Sequence, residues 1–582
     1  MRDRWFLITV LVTFSYLVFN VWVLTLSSLR LDNGNIIDTT TIVQALSSAL
    51  FSHLFFWTSV PGGPFFGIHA TTFFFAILPF YSIFPNFIGE YAIEYLLVYA
   101  GAIPVYLIAR KVFNSGLYSF LFSVSYLLYT SILGFPFSGE EIIMFMGPAI
   151  FAIYFLETDR KIPFTISLIL ILSTIEFSPF VGAFLFIYLV VRQNLAGRAK
   201  AFFLRKDSVR TFLGHLGNYY IVVTLVLSVF FYYFDSWMTL FFSHGTHSIF
   251  INLQGVNVFS VSSLLSGLRT DDFTKYLNLM YLDGPFLFLA FLDPIFIVQL
   301  PWFLATAFTT TTFYFSPGAY YDAIIAAFIP IGSLFGLRRI SQKVEPSKRN
   351  DFHKRFVIIT LILCVILFLA TTVGVQYYAQ YSRSPVTADD QGLLFLSQQL
   401  NQGPLVDEAY YDLPVTGIYD WNDTYYGAQT GKIIFDGGPP FSLSGYGFYA
   451  ADGPFMMYEK NYSSQPIYNY FYYSSEQILN QQNSYSFFSP PGNYTISLSL
   501  DHYHYSEPLA MGNSSGSDYF VPLGSAIAIP FELKHPAVLQ AVSVQTTNEG
   551  SAWLYGVISS SDTSVPIQSV SSANFNFQYF ER

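Results

Sequence analysis

The 582-residue chain is 53% hydrophobic, 20% aromatic and only 11% charged, against about 25% charged in an ordinary soluble protein. That composition excludes a soluble globular fold for most of its length. The net charge of −10 gives no reason to expect nucleic acid as a partner, and the lone Cys364 excludes a disulfide framework and a zinc–thiolate site.

Arg2 and Arg4 precede an apolar run from Trp5 to Leu26, long enough to cross a bilayer, which takes about 20 residues. No small-residue cleavage site follows it, so the run reads as a retained helix and not as a removed signal. Basic clusters mark the cytoplasmic side of a multi-pass protein. They fall at Arg2/Arg4, Arg110–Lys111, Arg160–Lys161, Arg192 to Arg210, and Arg338 to Arg355. For all five to share a side, only one of the two apolar stretches before Arg110 can cross. The stretch 65–84 contains Pro79, is followed by Pro85 and is crowded with Phe. It is expected to lie on or dip into the outer leaflet, leaving 88–109 to cross. Further spans are expected at about 116–134, 141–157, 163–177, 178–192, 213–234, 280–295, 297–313, 319–337 and 355–377. With the first at about 5–27, residues 1–377 are expected to form a polytopic all-α bundle of about eleven transmembrane helices. The bundle is placed in the plasma membrane, in contact with membrane lipids, with its N-terminus cytoplasmic.

Residues 378–582 differ. They carry 18 acidic and 5 basic residues, net −13, which leaves +3 for the first 377. All four Asn-x-Ser/Thr sequons (Asn422, Asn461, Asn493 and Asn513) fall here, and a sequon is used only outside the cell. The segment is therefore expected to be an extracellular, glycosylated domain. After a short helix at 391–402 come alternating runs at Tyr494–Leu500, Ala526–Leu533, Val538–Gln545 and Ala552–Ile558. Pro491–Gly492 and Asn548–Glu549–Gly550 supply turns between them, which predicts a mainly-β domain, sandwich-like from about residue 480.

Charge inside a membrane protein is costly and by default marks function. On this topology the outer face collects Asp32, Asp38, Glu90, Glu94, Glu140, Glu141, Glu176 and Asp322, with Arg30, Arg269, Lys275, His53, His69, His244 and His247 as counter-charges. Carboxylates beside cations at the membrane boundary suit a reaction on a lipid phosphate. A carboxylate takes a proton from an acceptor hydroxyl, and Arg or Lys holds the leaving phosphate. Glu90 and Glu94 read equally well as solvated residues near a helix N-terminus. Asp32 reads as a loop residue, and His53, His244 and His247 read as interfacial. Asp293–Pro294 reads as a turn or N-cap at the inner end. Clustered carboxylates suit Mg²⁺ or Mn²⁺, but no spacing specifies a divalent metal ion.

The stretch Phe66-Gly-Ile-His-Ala-Thr-Thr-Phe-Phe-Phe-Ala-Ile-Leu-Pro-Phe-Tyr-Ser-Ile-Phe-Pro85 resembles a signature of the DUF2079 family of predicted membrane proteins, in which Phe-Gly-x-His precedes an apolar run ending Leu-Pro-x-Tyr-x-x-Phe-Pro. Gly101-Ala-Ile-Pro-Val-Tyr-Leu-Ile-Ala-Arg110 looks like that family too, and the likeness covers roughly residues 35–340, with a weaker echo at 391–426. The family is similar to the GT-C superfamily of polytopic glycosyltransferases, which use polyprenyl-phosphate sugars. The resemblance implies a catalytic acidic residue in the first outer loop, followed there by a horizontal helix. The family's Asp-Leu-Gly-x-x-Asp-Gln pattern falls on Asp38 to Gln44, matching at Asp38 and Gln44 but with Val43 at the second acidic position. Its Phe-Gly-x-His histidine matches His69. Its Phe-His-Pro-Glu motif falls on Phe137-Ser-Gly-Glu140, and its Lys-Glu-Asp motif on Ile175-Glu176-Phe177, so the glutamates remain and their polar neighbours are lost.

The leading expectation is a GT-C-like glycosyltransferase moving a sugar from a polyprenyl-phosphate donor to a glycan or protein acceptor of the cell envelope. Asp38 is its general base. His69, Glu140, Glu176 and Gln44 orient the substrates, and Arg269 or Lys275 contacts the donor phosphate. The lost motif residues leave a second reading open, in which the bundle anchors a non-catalytic exterior β domain that binds glycans or envelope partners through its many Tyr. A transporter would favour two similar halves and mid-membrane charges, and neither pattern is present.

Overall fold

The apolar run that opens the sequence folds into α1 (Arg4–Ser28) in a computed structural model. The described residues are 3–28, 36–51, 55–58, 63–135, 141–194, 218–243, 261–318, 320–371, 396, 405–407, 418–420, 432–436, 445–453, 455–463, 467–471, 487–489, 492–502, 509–512, 518–521, 526–533, 537–539, 550–560 and 573–577. Leu7, Leu11, Phe14, Val18 and Trp22 form one exposed stripe of α1, while Val23, Leu24 and the polar Thr9, Thr13 and Asn20 are buried. This is the inverse of a soluble helix and suits a lipid-facing surface.

Contacts divide the chain into two units, Met1–Ser384 and Pro385–Arg582. The first is helical. After α1 come α2 (Ile36–Phe51), a two-residue ladder of β1 (Trp57–Thr58) with β2 (Gly63–Pro64), and α3 (Phe74–Tyr81). Then follow α4 (Phe87–Tyr99), α5 (Ala102–Phe113), α6 (Gly116–Ile132), α7 (Met146–Glu157), α8 (Lys161–Leu172) and α9 (Ser178–Arg192). Next are α10 (Tyr219–Phe242), α11 (Val261–Arg269), α12 (Asp272–Asp283), α13 (Phe296–Phe308), α14 (Ala323–Ala326), α15 (Ile329–Ser341) and α16 (Arg349–Ala370). Among the described residues five segments are long and apolar enough to cross a membrane: Arg4–Thr25, Phe87–Phe113, Tyr219–Phe242, Ala323–Ser341 and Pro346–Ala370. Shorter apolar helices accompany them, including α6, α8, α9 and α13.

Ion pairs gather the basic residues at one end of this bundle. Tyr106 Oη donates to Asp3 Oδ2 at 2.7 Å, and Arg110 Nε donates to the same oxygen at 3.4 Å, which joins the start of α1 to the end of α5. Lys111 Nζ reaches the Glu157 carbonyl at 3.3 Å, and Arg192 meets the Glu157 carboxylate at 2.7 Å. Tyr220 Oη donates to Asp159 Oδ1 at 2.8 Å, and Arg339 Nε to Asp293 Oδ2 at 2.7 Å. The ends of α5, α7, α9 and α15 and the starts of α1, α8 and α10 therefore share one end. The same Asp293 accepts from the Ile295 backbone N–H at 3.0 Å, as a turn-capping aspartate does.

The stretch 65–84 does not form a spanning helix. A 3₁₀ turn at Phe65–Gly67 and an irregular loop lead into α3, whose eight residues rise only about 12 Å against a hydrocarbon core of about 30 Å. One helix is unexpected, and one expected span is absent. The first loop holds α2, in which Ile42 to Ser48 are all buried. The span expected at 280–295 is not a helix: α12 stops at Asp283 before Gly284–Pro285, Leu287 and Phe288 both take φ of 56°, and short 3₁₀ turns follow. Two consecutive left-handed bulky residues are incompatible with an α-helix.

The second unit is described as strands. β3 (Leu405–Asp407), β4 (Ile418–Asp420), β5 (Lys432–Asp436), β6 (Tyr446–Gly453), β7 (Phe455–Lys460) and β8 (Ile467–Phe471) form one sheet in the order β4-β3-β5-β7-β6-β8. It is mixed: β3 runs parallel to both β4 and β5, and β6 parallel to β8. Between 487 and 577 lie β9 (Phe487–Ser489), β10 (Gly492–His502), β11 (Leu509–Gly512), β12 (Asp518–Val521), β13 (Ala526–Leu533), β14 (Ala537–Leu539), β15 (Gly550–Ser560) and β16 (Ala573–Phe577). Four of them make an antiparallel sheet, β13-β10-β15-β16. Asn461 stands exposed in a left-handed turn after β7, and the backbone of Asn493 belongs to β10. Asn422 and Asn513, and the helix expected at 391–402 apart from Leu396, lie outside the described residues.

Candidate functional site

The Phe66-Gly67-x-His69 motif has a physical reason for each of its fixed residues. Phe66 is fully buried and packs its ring against Phe55, Phe56, Phe75 and Phe242. Gly67 lies against the end of α10: a Cβ there would stand 3.2 Å from the Phe242 carbonyl carbon and oxygen and 3.3 Å from the Ser243 nitrogen. A side chain there would require the α10 backbone to give by a few tenths of an ångström. The 3₁₀ turn, closed by the His69 N–H on the Phe65 carbonyl at 3.1 Å, then presents the His69 ring.

That ring meets Glu176. Nδ1 of His69 lies 3.1 Å from Oε1 and 3.4 Å from Oε2 of Glu176, and the Ala70 backbone N–H donates to Oε2 at 3.3 Å. Two loops more than a hundred residues apart in sequence are joined here, and the Phe73 N–H adds a bond to the Ser173 carbonyl at 2.8 Å. Glu176 precedes α9, whose N-terminal dipole favours a nearby anion. Burial pushes its carboxyl up, but the His69 ring, its bond to Glu176 and the backbone N–H donors outweigh that and hold it below the ordinary 4.5. An ionised carboxylate only accepts, so His69 Nδ1 carries a proton and donates to it. The His69 side chain keeps 35% of its surface exposed, whereas Glu176 keeps 8%. The pair is thus open on the histidine side.

Around Glu176 stand aromatic rings. Phe177 packs on Trp302 at 6.1 Å between centroids, Trp302 stacks on Tyr321 at 6.0 Å, and Tyr314 contacts Tyr321 at 4.5 Å. Burial pushes the Tyr314 phenol up, the Tyr321 hydrogen bond opposes this, and the charge of Glu176 adds to it. Glu176 therefore acts on two neighbouring layers, the His69 loop and the Trp302–Tyr321 wall.

The other expected residues are distributed as follows. Asp38 is the third residue of α2 and is described by its backbone alone. Its neighbour Thr39 bonds Tyr91 of α4 at 3.2 Å between oxygens. Gln44 is buried in the same helix. Glu90 and Glu94 are fully buried in α4, not solvated. Glu140, Asp32, Arg30, His53, His244 and His247 lie outside the described residues. Arg269 ends α11 and is exposed. Lys275 is committed elsewhere: its ammonium donates to the carbonyls of Gly267, Ala307 (2.8 Å) and Thr309 (2.9 Å) and lies 4.7 Å from the Phe315 ring centroid. All three of its protons are used, so it ties α12 to the end of α13. Burial pulls the Lys275 ammonium down, with Asp272 and Asp271 opposing. Asp322 accepts from Asn278 Nδ2 at 3.3 Å inside the bundle. Among the described residues no group of three or more His, Cys, Asp or Glu could hold a metal ion.

The family model described as predicted membrane protein, DUF2079, matches residues 37–403. Among solved structures, the crystal structure of ArnT from Cupriavidus metallidurans bound to undecaprenyl phosphate is similar with a TM-score of 0.42 at 12% identity, over 80% of this chain and 99% of that one. The cryo-EM structure of arabinofuranosyltransferase AftD from Mycobacteria gives a TM-score of 0.35 at 11% identity, over 98% of this chain and 60% of that one. No curated protein matches the sequence significantly.

Proposed function

The chain belongs to the DUF2079 family of predicted membrane proteins, and on that premise we propose that it is a GT-C-like membrane glycosyltransferase using a polyprenyl-phosphate sugar. The observation that carries the reading is the His69–Glu176 pair, held at 3.1 Å by two separate loops away from the basic end of the bundle. The positive-inside tendency makes the basic end cytoplasmic. The pair then belongs at the exoplasmic boundary, with the spans of the bundle below it.

In this reading the acceptor oxygen attacks the anomeric carbon of the donor sugar. The bond from that carbon to the phosphate oxygen breaks, and polyprenyl phosphate leaves with the electron pair. The acceptor proton passes to the Asp38 carboxylate. Such a base contributes on the order of 10²–10⁴ in rate. Glu176 holds His69 in the tautomer whose Nε2 accepts a hydrogen bond, so His69 orients a substrate hydroxyl. Glu140 and Gln44 serve as further polar contacts, and Arg269 as the cation for the phosphate.

Transfer from polyprenyl-phosphate-linked sugars, assayed in membranes carrying the full chain, tests this. Asp38→Ala is expected to abolish transfer, while the protein still inserts and accumulates. Full transfer by that variant overturns the role of Asp38 as base. No transfer by the unaltered protein from any lipid-linked sugar favours the reading in which the bundle only anchors the C-terminal unit.

A further inference from the structure

One ionisable residue of the bundle lies beside this site and has no part in the mechanism above. Asp235 sits in α10, an otherwise apolar span. It lies seven residues before the end of that helix, about 10 Å along the axis. Its side chain is 0% exposed, and neither carboxylate oxygen has a hydrogen-bond partner among the described residues. A carboxylate so placed is costly, and no ion pair to it is found among the described residues.

Its position is set by helix packing. α9 and α10 run antiparallel, and Gly182 of α9 leaves no room for a Cβ against Ser228 Oγ of α10. From that contact, seven residues up α10 and six down the other strand of the hairpin reach Asp235 and Glu176 at one level. The charge of Glu176 acts on Asp235, as this register requires. About two turns further, Phe242 and Ser243 lie against Gly67, two residues before His69. α10 is therefore a wall of the His69–Glu176 site.

Asp235 is not alone on that wall. Thr239, one helical turn on and on the same face, is also 0% exposed, and its hydroxyl has no partner among the described residues. A helical threonine ordinarily satisfies itself on the carbonyl four residues back. The hydroxyls of Thr71, next to Ala70, and of Ser178, two residues after Glu176, are buried and have no partner among the described residues either.

Resting on the proposed function, we infer that Asp235 and Thr239 contact the substrate directly, taking and giving hydrogen bonds to the hydroxyls of a sugar ring in the His69–Glu176 site. A carboxylate accepts from two neighbouring hydroxyls at once, and a threonine hydroxyl both donates and accepts. The Trp302–Tyr314–Tyr321 wall supplies the apolar surface on which a sugar face stacks. The sugar is that of the lipid-linked donor or that of the acceptor, and the test separates them.

The full chain in lipid nanodiscs is treated with a membrane-partitioning carbodiimide, and modification of Asp235 is mapped by mass spectrometry. Expected is modification of the unliganded protein and protection by a polyprenyl-phosphate-linked hexose or pentose, with none by polyprenyl phosphate lacking a sugar. Protection by a water-soluble methyl glycoside alone would assign the contact to the acceptor. Protection by neither sugar, equal protection by the sugar-free lipid, or no modification of the unliganded protein overturns the inference. Asp235→Asn should weaken binding of the lipid-linked sugar about tenfold or more without changing binding of polyprenyl phosphate, and unchanged sugar binding also overturns it. These readouts measure binding, so a protein that binds sugars through Asp235 yet transfers none defeats the glycosyltransferase reading and leaves this one standing.

Discussion

The two ends of the helical bundle treat charge differently. At the basic end the acidic residues have cationic or phenolic partners: Asp3 has Arg110 and Tyr106, Glu157 has Arg192, Asp159 has Tyr220, and Asp293 has Arg339. Among these cations the Arg339 side chain is the most open, at 54% exposed. Toward the other end Glu176 is buried against a histidine and a backbone N–H, and Asp235 is buried without a partner among the described residues. Exposed pairs contribute little and are retained cheaply. Buried and incompletely matched carboxylates oppose folding and persist where something other than folding requires them. Under the proposed function, the second end carries the chemistry and the first anchors.

The sharpest way to break that contrast is to remove the charge from Glu176 and keep its shape. Glu176→Gln leaves an acceptor for the Ala70 N–H but lets the His69 ring take either tautomer. Transfer is expected to fall by about 10²-fold, the scale of a misoriented acid–base group, with the larger part in kcat. The same variant has a signature in stability. Because the folded-state carboxyl is held below the ordinary 4.5, its ionised form stabilises the fold above that pH. The contribution disappears as pH falls through the lower folded value. The gap in melting temperature between wild type and Glu176→Gln, followed by thermal unfolding in detergent, should be full near neutrality and close in acid. A gap that widens in acid would show that Glu176 is not held ionised by His69.

A smaller effect is expected from the glycine that lets these two loops meet α10. Gly67→Val puts side-chain atoms where the Phe242 carbonyl already stands within 3.2 Å of a Cβ. Overpacking of this kind costs about 1–3 kcal/mol, and here it also pushes the His69 turn away from Glu176. Lower thermal stability together with lost transfer is expected. Lost stability with full transfer would detach the motif from the site.

Much of this end of the molecule was legible in the sequence, for reasons that can be named. The non-spanning character of 65–84 followed from the charge on Arg110 and from Pro79 and Pro85, and α3 is indeed too short to cross. His69 and Glu176 stood out because ionisable residues in a membrane protein mark function and because both fall on motifs of the family the sequence resembles. Their 3.1 Å contact was not legible, since it depends on where two distant loops come together. The helix α2 was missed because Thr39, Thr41, Gln44, Ser47 and Ser48 make its buried surface polar, which reads as a loop. Asp235 lies one residue beyond the span expected at 213–234, whereas α10 continues to Phe242. Lys275 was singled out as a phosphate contact because a cation near the membrane suggests an anion. The three carbonyls that occupy it come from segments that only the folded chain assembles.

The basic end supplies the control with the smallest expected effect. Arg339 donates to Asp293 at 2.7 Å, but its side chain is more than half exposed. An ion pair with one partner so open to water contributes about 0–1 kcal/mol, although Asp293, only 7% exposed, loses its partner when Arg339 is removed. Asp293 still accepts from the Ile295 N–H, so the turn it caps has a second hold. Arg339→Ala is therefore expected to lower the melting temperature only slightly, less than Gly67→Val, and to leave transfer unchanged. Salt added to the wild type should reproduce part of that shift, because exposed charge is screened. If removing Arg339 abolished transfer while the protein stayed folded, the division of labour between the two ends would fail, since the open end of an ion pair would then be governing chemistry at the opposite end of the bundle.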